Sequence, residues 1–149
     1  MSIQTEVNEQ IKTAMKAKDT ISLEALRALK SAFLLVNTSG TQVNMTEADE
    51  LKIVQKLVKQ RQDSASIYSE QGRADLAEPE LAQAKVLEQF LPQQMSEEEL
   101  TDVIQTIINS SGANSLKDMG KVMGLASKEL AGKADGKSIS EVVKKLLTA

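Results

Sequence analysis

Residues 90–112 read FLPQQMSEEELTDVIQTIINSSG, and this stretch decides how the rest of the chain is parsed. Leu91-Pro92 stops a helix, because proline pushes the residue before it towards extended backbone and cannot donate to a helical ladder. Four residues on, Ser96 with Glu99 has the spacing of a capping box. Leu100, Val103, Ile104, Ile107 and Ile108 then recur at steps of three and four, the period of a helix with one apolar face, and Gly112 supplies a stop. A helix therefore ends before Pro92 and an independent one begins after it, which makes Leu91–Met95 the clearest boundary in the chain.

Upstream, the same period recurs. Ile3, Val7, Ile11, Ala14 and Met15 follow Ser2 as N-cap, with a break at Lys18-Asp19-Thr20. Leu23, Leu26, Leu29, Phe33 and Val36 form a second stripe that Asn37-Thr38-Ser39-Gly40 stops, and a polar loop follows. Thr46 with Asp49 opens a third helix striped by Leu51, Val54, Leu57, Val58, Ala65 and Tyr68 and ending before Gly72. Pro79 favours a first helical position, so a turn is expected at Arg73–Ala77 and a fourth helix from about Pro79 to Phe90.

Downstream, Ser115 with Asp118 heads a helix carrying Leu116, Met119, Val122, Met123, Ala126 and Leu130, and Ser138 with Glu141 heads one carrying Ile139, Val142, Val143, Leu146 and Leu147. No stretch reads as a strand: the β-branched runs are short and fit helical spacing, and aromatics are only 2%. The expectation is an all-α chain in two lobes, four helices over residues 1–92 and three over 93–149.

Composition limits the chemistry. The 149 residues contain no Cys, His or Trp, 18 Lys+Arg and 21 Asp+Glu, for a net charge of -3. Thiolate and imidazole catalysis and Cys or His metal ligands are thereby excluded. Glu78/Glu80 and Glu97–Glu99 offer neighbouring acids, but no nucleophile or metal set accompanies them, and acids at 97–99 complement a helix dipole. No catalytic site, metal or cofactor is expected. The polar N-terminus MSIQTEVNEQ lacks the apolar core of a signal peptide and no apolar run could span a bilayer, so a cytoplasmic location is expected.

The charge is unevenly spread. Residues 115–149 hold seven lysines against four acids, a local +3 in an acidic protein. Lysines on helices commonly form a solvated face, and the alternative is contact with phosphates. Gly120 and Gly124 interrupt the sixth helix four residues apart, and glycines so spaced let another backbone come close, from a neighbouring helix or from a bound macromolecule. Lys117, Lys121 and Lys128 adjoin them. Gly132 and Gly136, with Lys133 and Lys137, sit in a loop leading into a helix N-terminus, one residue too closely spaced for a P-loop. The aromatics that could stack on unpaired bases, Phe33, Tyr68 and Phe90, all lie in the first lobe, which favours recognition by shape and phosphate over base reading. In the third helix, Lys52, Lys56 and Lys59 lie opposite the apolar stripe, whereas Arg61 falls within it and is expected to reach Asp75 or Glu80.

The ordered strings AMKAKD (14–19), LRALKSA (26–32), KQRQDS (59–64), GRADLA (72–77), FLPQQMS (90–96), KDMGKVMG (117–124) and KADGK (133–137) resemble the GatB/YqeY family over nearly the whole chain. That module occurs as a free-standing bacterial protein and as the tail of the B subunit of glutamine-dependent aminoacyl-tRNA amidotransferase, where it helps to hold tRNA while transamidation occurs elsewhere. The resemblance implies a four-helix and a three-helix lobe, tRNA as partner, association with amidotransferase or other translation proteins, and the family's label of carbon-nitrogen ligase with glutamine as amido donor. Carried over by position, Lys117, Gly120, Lys121, Gly124, Lys133, Gly136 and Lys137 are the residues expected at tRNA. The alternative is a helical protein-interaction adaptor that binds no nucleic acid.

Overall fold

The computed structural model describes residues 2–38 and 45–148. The order of elements is α1 (Ile3–Ala17), α2 (Thr20–Thr38), α3 (Glu47–Glu70), α4 (Ala74–Glu88), α5 (Glu97–Ser111), a 3₁₀ turn (Leu116–Asp118), α6 (Met119–Glu129) and α7 (Gly136–Thr148). The fold is all-α, with no strand among the described residues. Ser39, Gly40 and the polar loop expected after them lie outside those residues as far as Asn44.

Contacts group the chain into two units, Met1–Leu91 and Pro92–Ala149. In the first, α1 to α4 enclose Val7, Leu26, Leu29, Val54 and Leu87, each 1% exposed or less. Ser2 caps α1 by accepting from the Thr5 amide, and Asp19 does the same for the start of α2 by accepting from the Ser22 amide. The Thr46/Asp49 capping box forms in both directions at α3, and Gly72 ends that stretch at a φ of 71°. One carboxylate is taken inside: Glu50, 6% exposed, accepts from the Gln4 amide at 3.3 Å and so satisfies a free donor at the first turn of α1.

Three expectations for the first unit need correction in detail. Helix α4 begins at Ala74, five residues before Pro79, which lies inside it. The first turn closes where the Leu76 and Ala77 amides donate to the Arg73 carbonyl, with Ala77 buried, and the helix continues through Pro79 without that residue's donor. Arg61 does not reach Asp75 or Glu80. Its Nε donates to the Gln83 side chain at 3.0 Å and its Nη1 to the Leu57 carbonyl, while Gln83 donates onward to Glu24. Asp75 is instead gripped by both Arg73 nitrogens at 3.0 Å. Finally, Met15 and Val36 stand 54% and 40% exposed, so the buried stripe of α1 ends at Ala14 and that of α2 at Phe33.

In the second unit α5, α6 and α7 each pack on the other two. Leu100, Ile104, Val122, Ala126, Leu130, Ile139 and Val143 are almost fully buried between them. Ser96 and Glu99 form the capping box, and Gly112 ends α5 in the left-handed region at a φ of 73°. The two later helix starts differ from expectation. Asp118 accepts from the Asn114 amide rather than closing a box with Ser115, so Leu116–Asp118 coils as a 3₁₀ turn that leaves Leu116 48% exposed. Helix α7 is capped by Asp135, which accepts from the Ser138 amide at 2.7 Å, and it starts before the Ser138/Glu141 pair.

A candidate nucleic-acid interface on the second unit

Helix α6 is held by one side. Val122 and Ala126 are buried with no exposure, and Met119, Met123 and Leu130 pack beside them. At 3.6 residues per turn Gly120 and Gly124 then fall about 40° apart on the opposite side, with Lys128 and Lys121 next around the helix. Both glycines are exposed, and a Cβ built on either meets no atom within 4 Å. No neighbouring helix among the described residues uses the space they leave. Their backbone is also ordinary, since neither has a positive φ. Of the two explanations open from the sequence, packing within this unit is therefore removed. What remains is a smooth strip of backbone, each glycine costing up to about 1 kcal/mol of helix stability relative to alanine.

Beside that strip lies an open cleft of about 880 Å³ between α5 and α6. Thr106, Ser110 and Ser111 line it from α5, and Lys121, Leu125, Lys128 and Glu129 from α6, with Ile107 in its floor. Lys121 Nζ donates to the Ser111 carbonyl at 3.3 Å, supplying a donor to one of the unpaired carbonyls at the end of α5. Lys117 is exposed on the 3₁₀ turn that leads into α6.

The other three nominated residues lie elsewhere. Lys133 lines a second cavity of about 460 Å³ together with Lys145, Glu97, Asp135 and Glu141, where the acids outnumber the lysines. Two bonds hold the loop there: Met95 N donates to the Lys133 carbonyl at 3.0 Å, and the Gln94 side-chain Nε2 to the Gly132 carbonyl at 2.7 Å. Gly132, at a φ of 78°, is the glycine this turn requires. Gly136 and Lys137 are exposed in the first turn of α7, but the anion position at that helix end is filled by the protein's own Asp135 carboxylate. The structure thus brings Lys121 together with Gly120 and Gly124, and it gathers Lys128 and the α5 hydroxyls with them. Those hydroxyls left no trace in sequence reasoning, because Thr106 and Ser110 are ordinary outward positions until α6 is laid beside them.

No helix among the described residues is long and apolar enough to cross a membrane. In the first turn of α5, Glu99 is engaged with the Ser96 amide at 3.2 Å, a capping role.

Comparison with known proteins places this geometry in context. The chain is 32% identical over 88 residues to "Altered inheritance of mitochondria protein 41, mitochondrial" of Meyerozyma guilliermondii, an overlap of 57% of this chain and 44% of that protein. It is 30% identical over 106 residues to the protein of the same name in Clavispora lusitaniae, covering 70% of this chain and 61% of the relative. The chain therefore spans roughly half the length of these two relatives. A shorter stretch of 54 residues is 41% identical to a glutamyl-tRNA(Gln) amidotransferase subunit of Methanobrevibacter smithii, 34% of this chain and 9% of that protein. Residues 4–147 match a single family throughout, and the chain belongs to the family of Yqey-like proteins.

Proposed function

We propose that this protein is an accessory tRNA-binding module related to glutamine-dependent tRNA amidotransferase, with no catalytic site of its own. The observation that carries the reading is the open face of α6, where Gly120 and Gly124 leave the backbone bare and Lys121 and Lys128 flank it. A sugar-phosphate chain needs such a surface: close approach without side-chain obstruction, and cations at its edge. Kinship to an amidotransferase subunit over part of the chain supports tRNA as the nucleic acid. Lys117, Gly120, Lys121 and Gly124 make the principal contact, and Lys133, Gly136 and Lys137, which lie apart from that face, make a separate contact with the same tRNA. The protein works where tRNA is charged, in the cytoplasm of a bacterium. Its family's carbon-nitrogen ligase chemistry would be carried by a partner.

Titration of tRNA into the whole chain at several salt concentrations tests this. Binding should weaken steeply with salt, and Lys121→Glu with Lys128→Glu should lower the log–log salt slope by about one per lysine. Affinity unmoved by both substitutions would remove the α6 face from consideration. The adaptor reading draws on Leu125, 45% exposed at the wall of the same cleft. Under that reading tRNA does not bind at any salt and a protein partner protects Leu125.

A further inference from the structure

The α5 wall of the cleft makes a finer distinction than phosphate attraction can. Thr106 and Ser110 are four residues apart on α5, hence one above the other, and both face the lysine row of α6 across the cleft. Thr106 spends its proton on the Asp102 carbonyl at 3.0 Å and keeps lone pairs to accept with. Ser110 is exposed and its hydroxyl has no partner among the described residues, so it can both donate and accept. The lining also includes Ile107, 7% exposed, and Leu125 at the wall, an apolar part that a base edge or phosphate would not favour and a sugar ring would. The second unit has no aromatic side chain, so it has no platform on which to stack a splayed base.

We propose that this cleft receives the ribose edge of a stacked RNA strand, with Lys121 and Lys128 on flanking phosphates and Ser110, assisted by Thr106, on a ribose 2′-hydroxyl. The cleft is then an RNA-over-DNA discriminator. This rests on the tRNA-binding reading above, and it adds residues on α5 and a chemical criterion that a general phosphate surface lacks, because the 2′-hydroxyl is what separates RNA from DNA at a site.

The test uses the whole chain with an RNA stem-loop and a DNA stem-loop of the same sequence, at one ionic strength, followed by fluorescence anisotropy. Wild-type protein should prefer the RNA by about three- to ten-fold, the worth of one or two net hydrogen bonds. Ser110→Ala with Thr106→Val should bring that ratio close to one with the DNA affinity unchanged. Lys128→Glu should weaken both probes equally and leave the ratio alone. An exposed Ser110→Ala change on a helix favours folding, and thermal melting of each variant establishes that it is folded. Equal wild-type affinities for the two probes, or a ratio unmoved by the α5 substitutions, would overturn the inference while tRNA binding stood. Failure of tRNA and the RNA stem-loop alike to bind would overturn both.

Discussion

Replacing Gly120 and Gly124 by alanine should raise stability and lower RNA affinity at once. Gly124 is the sixth residue of α6, in its interior, where glycine costs about 0.8–1.0 kcal/mol relative to alanine. Gly120 is the second residue, where the chain is less constrained and the gain is about half as large. Neither new methyl meets an atom within 4 Å, so no steric term opposes the gain, and neither has a positive φ that alanine would resist. The two methyls touch nothing in common, so the sum is about 1.5 kcal/mol. For a unit of this size that is a rise in Tm of roughly 6–12 °C in the transition that melts residues 92–149. Hydrogen exchange on the whole chain assigns that transition, and circular dichroism follows it. The same methyls stand on the proposed contact face, and tRNA titration should show affinity falling while Tm rises. A lowered Tm would refute the statement that the glycines carry no structural duty. A raised Tm with unchanged affinity would mean that their cost is not offset by RNA.

Three further outcomes follow from the same geometry. Gly112→Ala should act in the opposite direction, destabilising by about 1–2 kcal/mol in denaturant titration, because its φ of 73° strains any side chain although the space around it is empty. Glu50→Ala should cost about 1 kcal/mol by removing the acceptor of the part-buried Gln4 amide, whereas Glu50→Gln keeps an acceptor oxygen and should cost less by the same measurement. Asp19, Asp49 and Asp75 are held below the ordinary aspartate range, by the Ser22 hydroxyl, the Thr46 amide and the Arg73 guanidinium respectively. Their folded values lie below the unfolded value of about 3.9, so their contribution is present above that pH and lost as the pH falls through the folded values. Stability measured across an acid series should decline there, and the decline should be shallower in Asp19→Asn.

Legibility in the sequence followed the range of the interaction. The boxes at Thr46/Asp49 and Ser96/Glu99 formed because a side chain and an amide three residues apart meet whatever the rest of the chain does. Where two local partners competed, spacing could not choose: Asp118 turned back to Asn114, and Asp135 capped α7 ahead of Ser138. Pro79 misled because proline's preference for a helix start is only a local tendency, and the chain had already closed a turn at Arg73–Ala77 before reaching it. Arg61 was rightly marked as a cation inside an apolar arc, and it does join α3 to α4. Its partner is the neutral Gln83, a choice made by which side chain the packed helices bring within 3.0 Å.

The amino-acid order by itself determined the all-α class and most helix stripes and ends, because period and capping act over three or four residues. It also excluded thiol and imidazole chemistry through the absence of Cys and His. Only the tertiary structure decided that Gly120 and Gly124 face open space, that Lys121 and Lys128 share a cleft with Thr106 and Ser110, and that Lys133 belongs to a different cavity with more acids than lysines. A helical period states which residues share a side of one helix. Which sides are covered, and which meet across a cleft, depends on where the other helices lie, and that is settled by burial of the apolar stripes around a common core.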